Sequence, residues 1–170
     1  RISPEKNIEQ AIEILRQVRE RGFDVSLRIV GHQGDPNYFE QVRGLCEQYG
    51  AWVTLEDALP REELRSVMDQ FKYGINAAPD EPFGIALAEM VTAGCIVFVP
   101  DSGGQIEIVD DHRLIYSDVR DAVDKITRVL ETEALQETLL DALDGREQIF
   151  STQAFSSGLQ KIVHQFLCSG

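Results

Sequence analysis

The chain has 170 residues, 43% of them apolar and 26% charged, which fits one globular domain spanning residues 1–170 with a real core. Its formal net charge of −13 argues against nucleic acid and anionic membrane surfaces as partners. Any anionic substrate would therefore need a local positive pocket.

Ser3-Pro4-Glu5 predicts an N-cap, a first-turn proline and an early acid, and Ile8, Ala11, Ile12, Leu15 and Val18 follow at helical spacing to Gly22. Val25 to Val30 reads as a strand entering the loop Gly31-His32-Gln33-Gly34-Asp35-Pro36. Pro36 is placed to start a helix that carries Phe39, Val42, Leu45 and Cys46 to about Gly50. A strand over 51–55, a helix from about Leu59 to Gln70 and a strand over 73–77 come next. Cys95 to Val99 is the most strand-like run, stopped by Pro100, and Asp101-Ser102-Gly103-Gly104 leads into Gln105–Val109. Leu114 to Tyr116 reads as a last short strand, Asp118 to Leu143 as one or two amphipathic helices, and Ser151 to Leu167 as a terminal helix. Strand and helix alternate, so the fold class is α/β, a parallel sheet flanked by helices. Its ligands should sit beyond the carboxyl ends of the strands, where the loops after Val30, Leu55, Ala77 and Val99 share one rim. A first helix with no strand before it is the pattern of one lobe of a two-domain enzyme.

Three scattered cysteines (Cys46, Cys95, Cys168) read as reduced thiols, hence a cytoplasmic protein. Three dispersed histidines (His32, His112, His164) build no metal cage, and no apolar run approaches the ~20 residues of a membrane span. The 31–35 loop lacks dinucleotide-fingerprint spacing, and no Walker lysine or nucleophile-elbow serine appears.

The chemistry concentrates between Asp80 and Gly94. Pro82 suits a loop or first helical turn, Gly84 permits close approach, and Ile85 to Ala93 is apolar or small except for Thr92 and the carboxylate Glu89. The reading is a loop, a glycine-bearing entry, a buried helix and a stop at Gly94. A helix N-terminus bearing glycine is a ready site for phosphate, and a carboxylate inside an apolar helix needs a partner. A ligand with a diphosphate and a vicinal diol answers both, with Glu81 near whatever the phosphate carries. Equally open are a Glu89 on the rim or paired with an arginine, and a solvated Glu81. Gly103 and Gly104 either present N–H groups to the same rim or form a plain strand-to-helix turn. From the residues alone Lys6, Arg61 and Arg65 read as surface.

Five elements in order then carry a resemblance. They are Arg1-Ile2-Ser3-Pro4-Glu5-Lys6-Asn7, Leu27-Arg28-Ile29-Val30-Gly31, Leu59-Pro60-Arg61-Glu62-Glu63-Leu64, the Glu-x7-Glu motif from Glu81 to Glu89 with Phe83-Gly84 inside it, and Gly94-Cys95-Ile96-Val97 with Ser102-Gly103-Gly104-Gln105-Ile106-Glu107. Together they resemble the C-terminal, donor-binding lobe of GT-B glycosyltransferases of the family 4 type (glycosyl transferases group 1). The resemblance implies a Rossmann-like lobe and transfer of a sugar from a nucleoside-diphosphate sugar, UDP- or GDP-linked, to an acceptor. It implies retained anomeric configuration, no metal and no further cofactor. By position, Glu81 would face the donor sugar as the catalytic residue. Arg1 and Lys6 would hold the diphosphate, and the backbone of Phe83, Gly84 and Ile85 the sugar and phosphate. Glu89 would take the ribose hydroxyls, and Gly103 and Gly104 would lie near the donor, with Glu107 supporting their loop. A sugar, polysaccharide or lipid-linked acceptor, and any peripheral membrane association, would come through an N-terminal lobe outside this chain.

Some positions depart from the pattern. Glu56-Asp57-Ala58 stands where a glycine is usual, Ala77-Ala78 where a serine is common, and Ile96 where proline is usual. No charged catalytic position is lost. A non-catalytic nucleotide-binding domain and a GT-B-shaped nucleotide-sugar epimerase are the alternatives. The joint presence of Arg1, Lys6, Glu81 and Glu89 disfavours them.

Overall fold

The computed structural model describes residues 1–146 and the helix 152–168. In chain order the elements are α1 (Ile8–Glu20), β1 (Leu27–Val30), α2 (Pro36–Gln48), β2 (Val53–Glu56), α3 (Arg61–Met68), β3 (Tyr73–Ile75) and α4 (Ile85–Thr92). Then follow β4 (Ile96–Pro100), α5 (Gln105–Val109), β5 (Ile115–Tyr116), α6 (Val119–Glu131), α7 (Glu133–Leu143) and α8 (Thr152–Cys168). Ser151, where the sequence starts the last helix, and the side chain of Cys168 lie outside the described residues.

Every strand pairing is parallel, as alternating strands and helices require. β4 is the axis of the core. Ile96, Val97, Phe98 and Val99 are all buried, a continuous apolar run that only a strand covered on both faces can carry. α4, α5 and α7 pack on β4, and α6 lays Ala122, Val123, Ile126 and Val129 into the same core while packing along α1. The hydrogen bonds fall into two blocks, β1–β2 and β3–β4–β5. A smaller core of Ile2, Ile12, Tyr38, Val42, Cys46 and Val53 serves the first block, and Leu27 and Trp52 pack against both. A cleft of about 160 Å³ lies where β1 faces β3, lined by Lys6, Ile8, Arg28, Ile75, Asn76 and Ala77 among others.

Two expectations are corrected. Ser3 and Pro4 open a 3₁₀ turn (Pro4–Lys6), and the α-helix begins only at Ile8. Asn7 separates the two in the left-handed region at φ 48°, and its side-chain amide donates to the Ala77 carbonyl at 3.3 Å. Asparagine tolerates that conformation better than most residues, so a local pattern that reads as one helix is divided by a contact 70 residues away. Asn7→Ala should therefore cost about 1–2 kcal/mol, and Asn7→Gly less, because glycine removes the left-handed penalty. Urea unfolding compares them; equal midpoints would exclude backbone strain as the cause.

The second correction concerns α4. It is short and buries Leu87 and Val91, while Ile85 is 68% exposed. It is not buried all round, because one face lies on β4 and α5 and the rest opens to the rim.

Candidate functional site

Three stretches converge beyond the carboxyl ends of the strands. The first is the chain opening. Ile2 pairs with the glycine loop after β1, its N–H donating to His32 O and its carbonyl accepting from Gly34 and Asp35 N–H. Arg1 lies across Gly34, where any Cβ would overlap its side-chain carbons, so the glycine makes room for the arginine. The Arg1 guanidinium reaches Glu5 at 2.6 Å, and the Ser3 hydroxyl donates to the same carboxylate oxygen. Ser3 first, and Arg1 with it, hold the Glu5 carboxyl below the ordinary carboxylate range.

The second stretch is the loop from Asn76 to Gly84. Its centre is Glu81, whose carboxylate meets Lys6 Nζ at 2.5 Å. The Glu81 side chain is only 16% exposed, so the lysine is the counter-charge that lets the carboxylate remain there. Lys6 is no free surface lysine, and Glu81 is not a solvated loop residue. Gly84 follows at φ 81° as the N-cap of α4 and, being glycine, offers that helix no side-chain cap. Phe83 and Ile85 flank it and are both exposed.

The third stretch is the turn Ser102-Gly103-Gly104. It packs beneath the second. A Cβ on Gly103 would lie 2.5 Å from the Glu81 carbonyl oxygen, and one on Gly104 would overlap the Pro82 carbonyl oxygen. Gly104 N–H donates to Glu81 O at 2.9 Å and the Asp80 N–H donates to Ser102 Oγ at 3.0 Å. The Gly104 N–H, expected to face the rim, is thus engaged with the neighbouring loop. The glycines serve close backbone approach rather than a plain turn. Glu107 takes part through its backbone, its N–H donating to Gly104 O and its carbonyl accepting from Arg146.

Glu89 does not join the Lys6–Glu81 pair. It faces α3, where Arg61 Nη2 lies 3.4 Å away, and it lines a cleft of about 340 Å³ with Arg61, Leu64, Arg65 and Met68. The carboxylate is partly exposed, so the arginine-paired alternative holds in this structure, although Arg61 itself is 88% exposed and such a pair contributes little. The arrangement leaves Glu89 accessible to a ligand in the cleft. Lys6, Glu81 and the two glycines come together; Arg1 stands beside them on the glycine loop, and Glu89 stands one cleft away.

The sequence alone did not reveal the polar side chains that tie these loops together. Gln105 is completely buried and bonds Asn76, Ala78 O and Ser102 O, and Tyr116 donates its hydroxyl to Asn76 O at 2.7 Å. Burial pushes the Tyr116 phenol well up, so it stays a neutral donor. The available signal was a glutamine directly after Gly104, at the head of the short segment Gln105–Val109.

Comparison with known proteins follows the same residues. Residues 1–142 match the family described as glycosyl transferases group 1. The chain is 25% identical over 154 residues to the uncharacterized glycosyltransferase YqgM of Bacillus subtilis, covering 88% of this chain and 42% of that protein. It is 30% identical over 121 residues to a GDP-Man:Man(3)GlcNAc(2)-PP-Dol alpha-1,2-mannosyltransferase of Caenorhabditis elegans, covering 65% of this chain and 26% of the relative. The chain thus spans less than half the length of these curated relatives. Among solved structures, Anabaena HepE in complex with UDP-glucose superposes with a TM-score of 0.81 at 18% identity, over 97% of this chain and 47% of that one. The sucrose-phosphate synthase of Thermosynechococcus elongatus gives 0.76 at 23% identity, over all of this chain (100%) and 44% of that one. These two likenesses establish the fold as that of a GT-B lobe.

Proposed function

Because the chain belongs to the glycosyl transferases group 1 family, we propose that it is the donor-binding lobe of a retaining, metal-independent hexosyltransferase of the family 4 type. The observation that carries this reading is the Lys6–Glu81 pair, set at the glycine-capped N-terminus of α4 by residues 75 positions apart. An ammonium has three N–H donors. One holds Glu81, and the others remain for the diphosphate of a nucleotide sugar. The first-turn N–H groups of α4 add positive potential at the same place, and Arg1, on the neighbouring glycine loop, would join them by leaving Glu5 for the phosphate. As the bond to the sugar breaks, the leaving nucleoside diphosphate gains negative charge, and these groups stabilise it without a metal. Glu81 then lies beside the anomeric carbon, its carboxylate held in place by Lys6 and its backbone by Gly104. Glu89 exchanges Arg61 for the ribose hydroxyls.

The donor is a UDP- or GDP-sugar, the two nucleotides named for the solved neighbours and the curated relatives. The acceptor, a sugar, polysaccharide or lipid-linked sugar, meets the donor from a second lobe, which also supplies any membrane association, and the reaction takes place in the cytoplasm. No helix among the described residues is long and apolar enough to cross a membrane.

The deciding experiment is calorimetric titration of the protein with UDP, GDP and ADP, with and without magnesium. Saturable binding of one nucleotide, unchanged by magnesium, is expected; failure of all three would sink the reading. Glu89→Ala should weaken the bound nucleotide about 10- to 150-fold, the range for losing hydrogen bonds to a charged acceptor. The variant should bind the ribose and 2′,3′-dideoxyribose forms equally, whereas a retained preference for ribose would exclude Glu89 as the diol partner.

A further inference from the structure

We propose that Gln105 is a positioning residue for the transfer step, holding the Glu81 loop at a fixed height over the Gly103-Gly104 turn. The inference rests on the donor-lobe reading above. Gln105 is the first residue of α5 and 0% exposed, and a buried amide with any unmet hydrogen bond is costly. Here both N–H donors and the carbonyl oxygen are engaged, and their partners belong to both loops. Its oxygen accepts from Asn76 Nδ2 at 2.7 Å, while its nitrogen donates to Ala78 O and to Ser102 O, both at 3.0 Å.

Those three bonds join the two ends of the site. Asn76 and Ala78 lead directly into Asp80 and Glu81. Ser102 begins the glycine turn, whose hydroxyl takes the Asp80 N–H and whose Gly104 N–H takes the Glu81 carbonyl. Asn76 is held from further sides, with Oδ1 accepting from Ala78 N–H at 3.2 Å and its carbonyl accepting from Tyr116. Asn7, next to Lys6, donates to Ala77 O. One buried side chain thus sets the separation between the strand end that launches Glu81 and the turn that supports it. An apolar residue of the same volume would keep the packing and lose the spacing. Nothing here requires Gln105 to touch a ligand; it acts through Glu81 and Lys6.

The test is Gln105→Met in the full-length protein, chosen to conserve side-chain volume. Amide hydrogen exchange should rise in residues 77–84 and 102–104 and stay unchanged in α1 and α6. With a nucleotide-sugar donor, kcat should fall roughly ten-fold, in keeping with the sensitivity of reacting geometry to small displacements, while KM and nucleoside diphosphate affinity stay within about two-fold. A purely structural role predicts the opposite pattern, in which exchange rises throughout and the kinetic constants measured below the melting temperature are unaltered. That outcome overturns the proposal. Where Gln105→Met fails to fold, Tyr116→Phe removes only the hydroxyl on Asn76 and should give a smaller kcat loss of the same kind; an unchanged kcat overturns the proposal. If the unaltered protein binds none of the nucleoside diphosphates, the transferase reading falls and takes this role with it. If it binds and turns over but Gln105→Met shows no split, Gln105 alone is excluded.

Discussion

Lys6→Ala should reduce affinity for the matching nucleoside diphosphate by about 10- to 100-fold, as expected when a hydrogen-bonded charge contact is lost, and leave the nucleoside alone nearly unaffected. The chain carries 16 basic against 29 acidic residues, so on the donor-lobe reading phosphate binding would depend on the few cations the fold brings to the rim. Lys6 is placed there by the 3₁₀ turn and by the left-handed Asn7 that ends it. The same substitution leaves Glu81, mostly buried, without its counter-charge. A broken buried pair is destabilising, so the variant should also lose stability by about 1–3 kcal/mol, less than a fully buried pair because Lys6 is partly exposed. Lys6→Ala/Glu81→Gln separates the two effects. Neutralising Glu81 should restore most of the stability, because no orphaned charge remains, and none of the phosphate affinity. Comparing nucleoside and nucleoside diphosphate by calorimetry, with melting temperatures alongside, resolves them. Equal losses for nucleoside and nucleoside diphosphate would remove Lys6 from the phosphate site.

Much of the scaffold around Lys6 was legible because its signals are local. Pro36 marks the start of α2, and in the structure the Asp35 carboxylate before it caps the helix by accepting from Tyr38 N–H at 2.7 Å. Cys95 to Val99 is the most strand-like run of the sequence and β4 takes it up from Ile96, and Gly84 and Gly94 bracket α4, both with positive φ. What was not legible depends on partners far along the chain. Nothing near Asn7 says that Ala77 will receive its amide, so a 3₁₀ turn read as a helix start. Nothing near Glu89 says that α3 will bring Arg61 to it, or that α4 will leave that side open. Gln105 followed two glycines and preceded Ile106, and only the folded arrangement shows its amide reaching Asn76, Ala78 and Ser102. The glycine turn, read either as presenting N–H groups to the rim or as a plain strand-to-helix turn, has a further structural role. Its missing side chains make room for the backbone of Glu81 and Pro82, and its N–H is directed at that backbone.

That packing makes Gly104→Ala a purely steric probe of how the glycine turn supports Glu81. Gly104 has φ −75°, an ordinary conformation for any residue, so alanine meets no backbone penalty there and the whole effect is steric. The new Cβ would overlap the Pro82 carbonyl oxygen, and backbone cannot rotate aside as a long side chain can. Relief requires lifting residues 80–83 away from the turn, which stretches the Gly104 N–H bond to Glu81 O. Overpacking of this kind costs about 1–3 kcal/mol, which for a chain of this size lowers the melting temperature by roughly 2–12 °C. The effect on transfer should be larger than the effect on stability. Displacing Glu81 by the order of 1 Å is enough to lower turnover about 100-fold, while the cleft that holds Glu89 and Arg61 lies to one side and should keep its affinity for the nucleoside. Gly103→Ala should be worse for stability, because its Cβ meets the Glu81 backbone and its φ of 70° adds the left-handed penalty of about 1–2 kcal/mol. The measurement is melting temperature and donor turnover for the two variants in the full-length protein. Wild-type values for Gly104→Ala would mean that the loop can rise without consequence, and the interlock between the glycine turn and Glu81 would then carry no function.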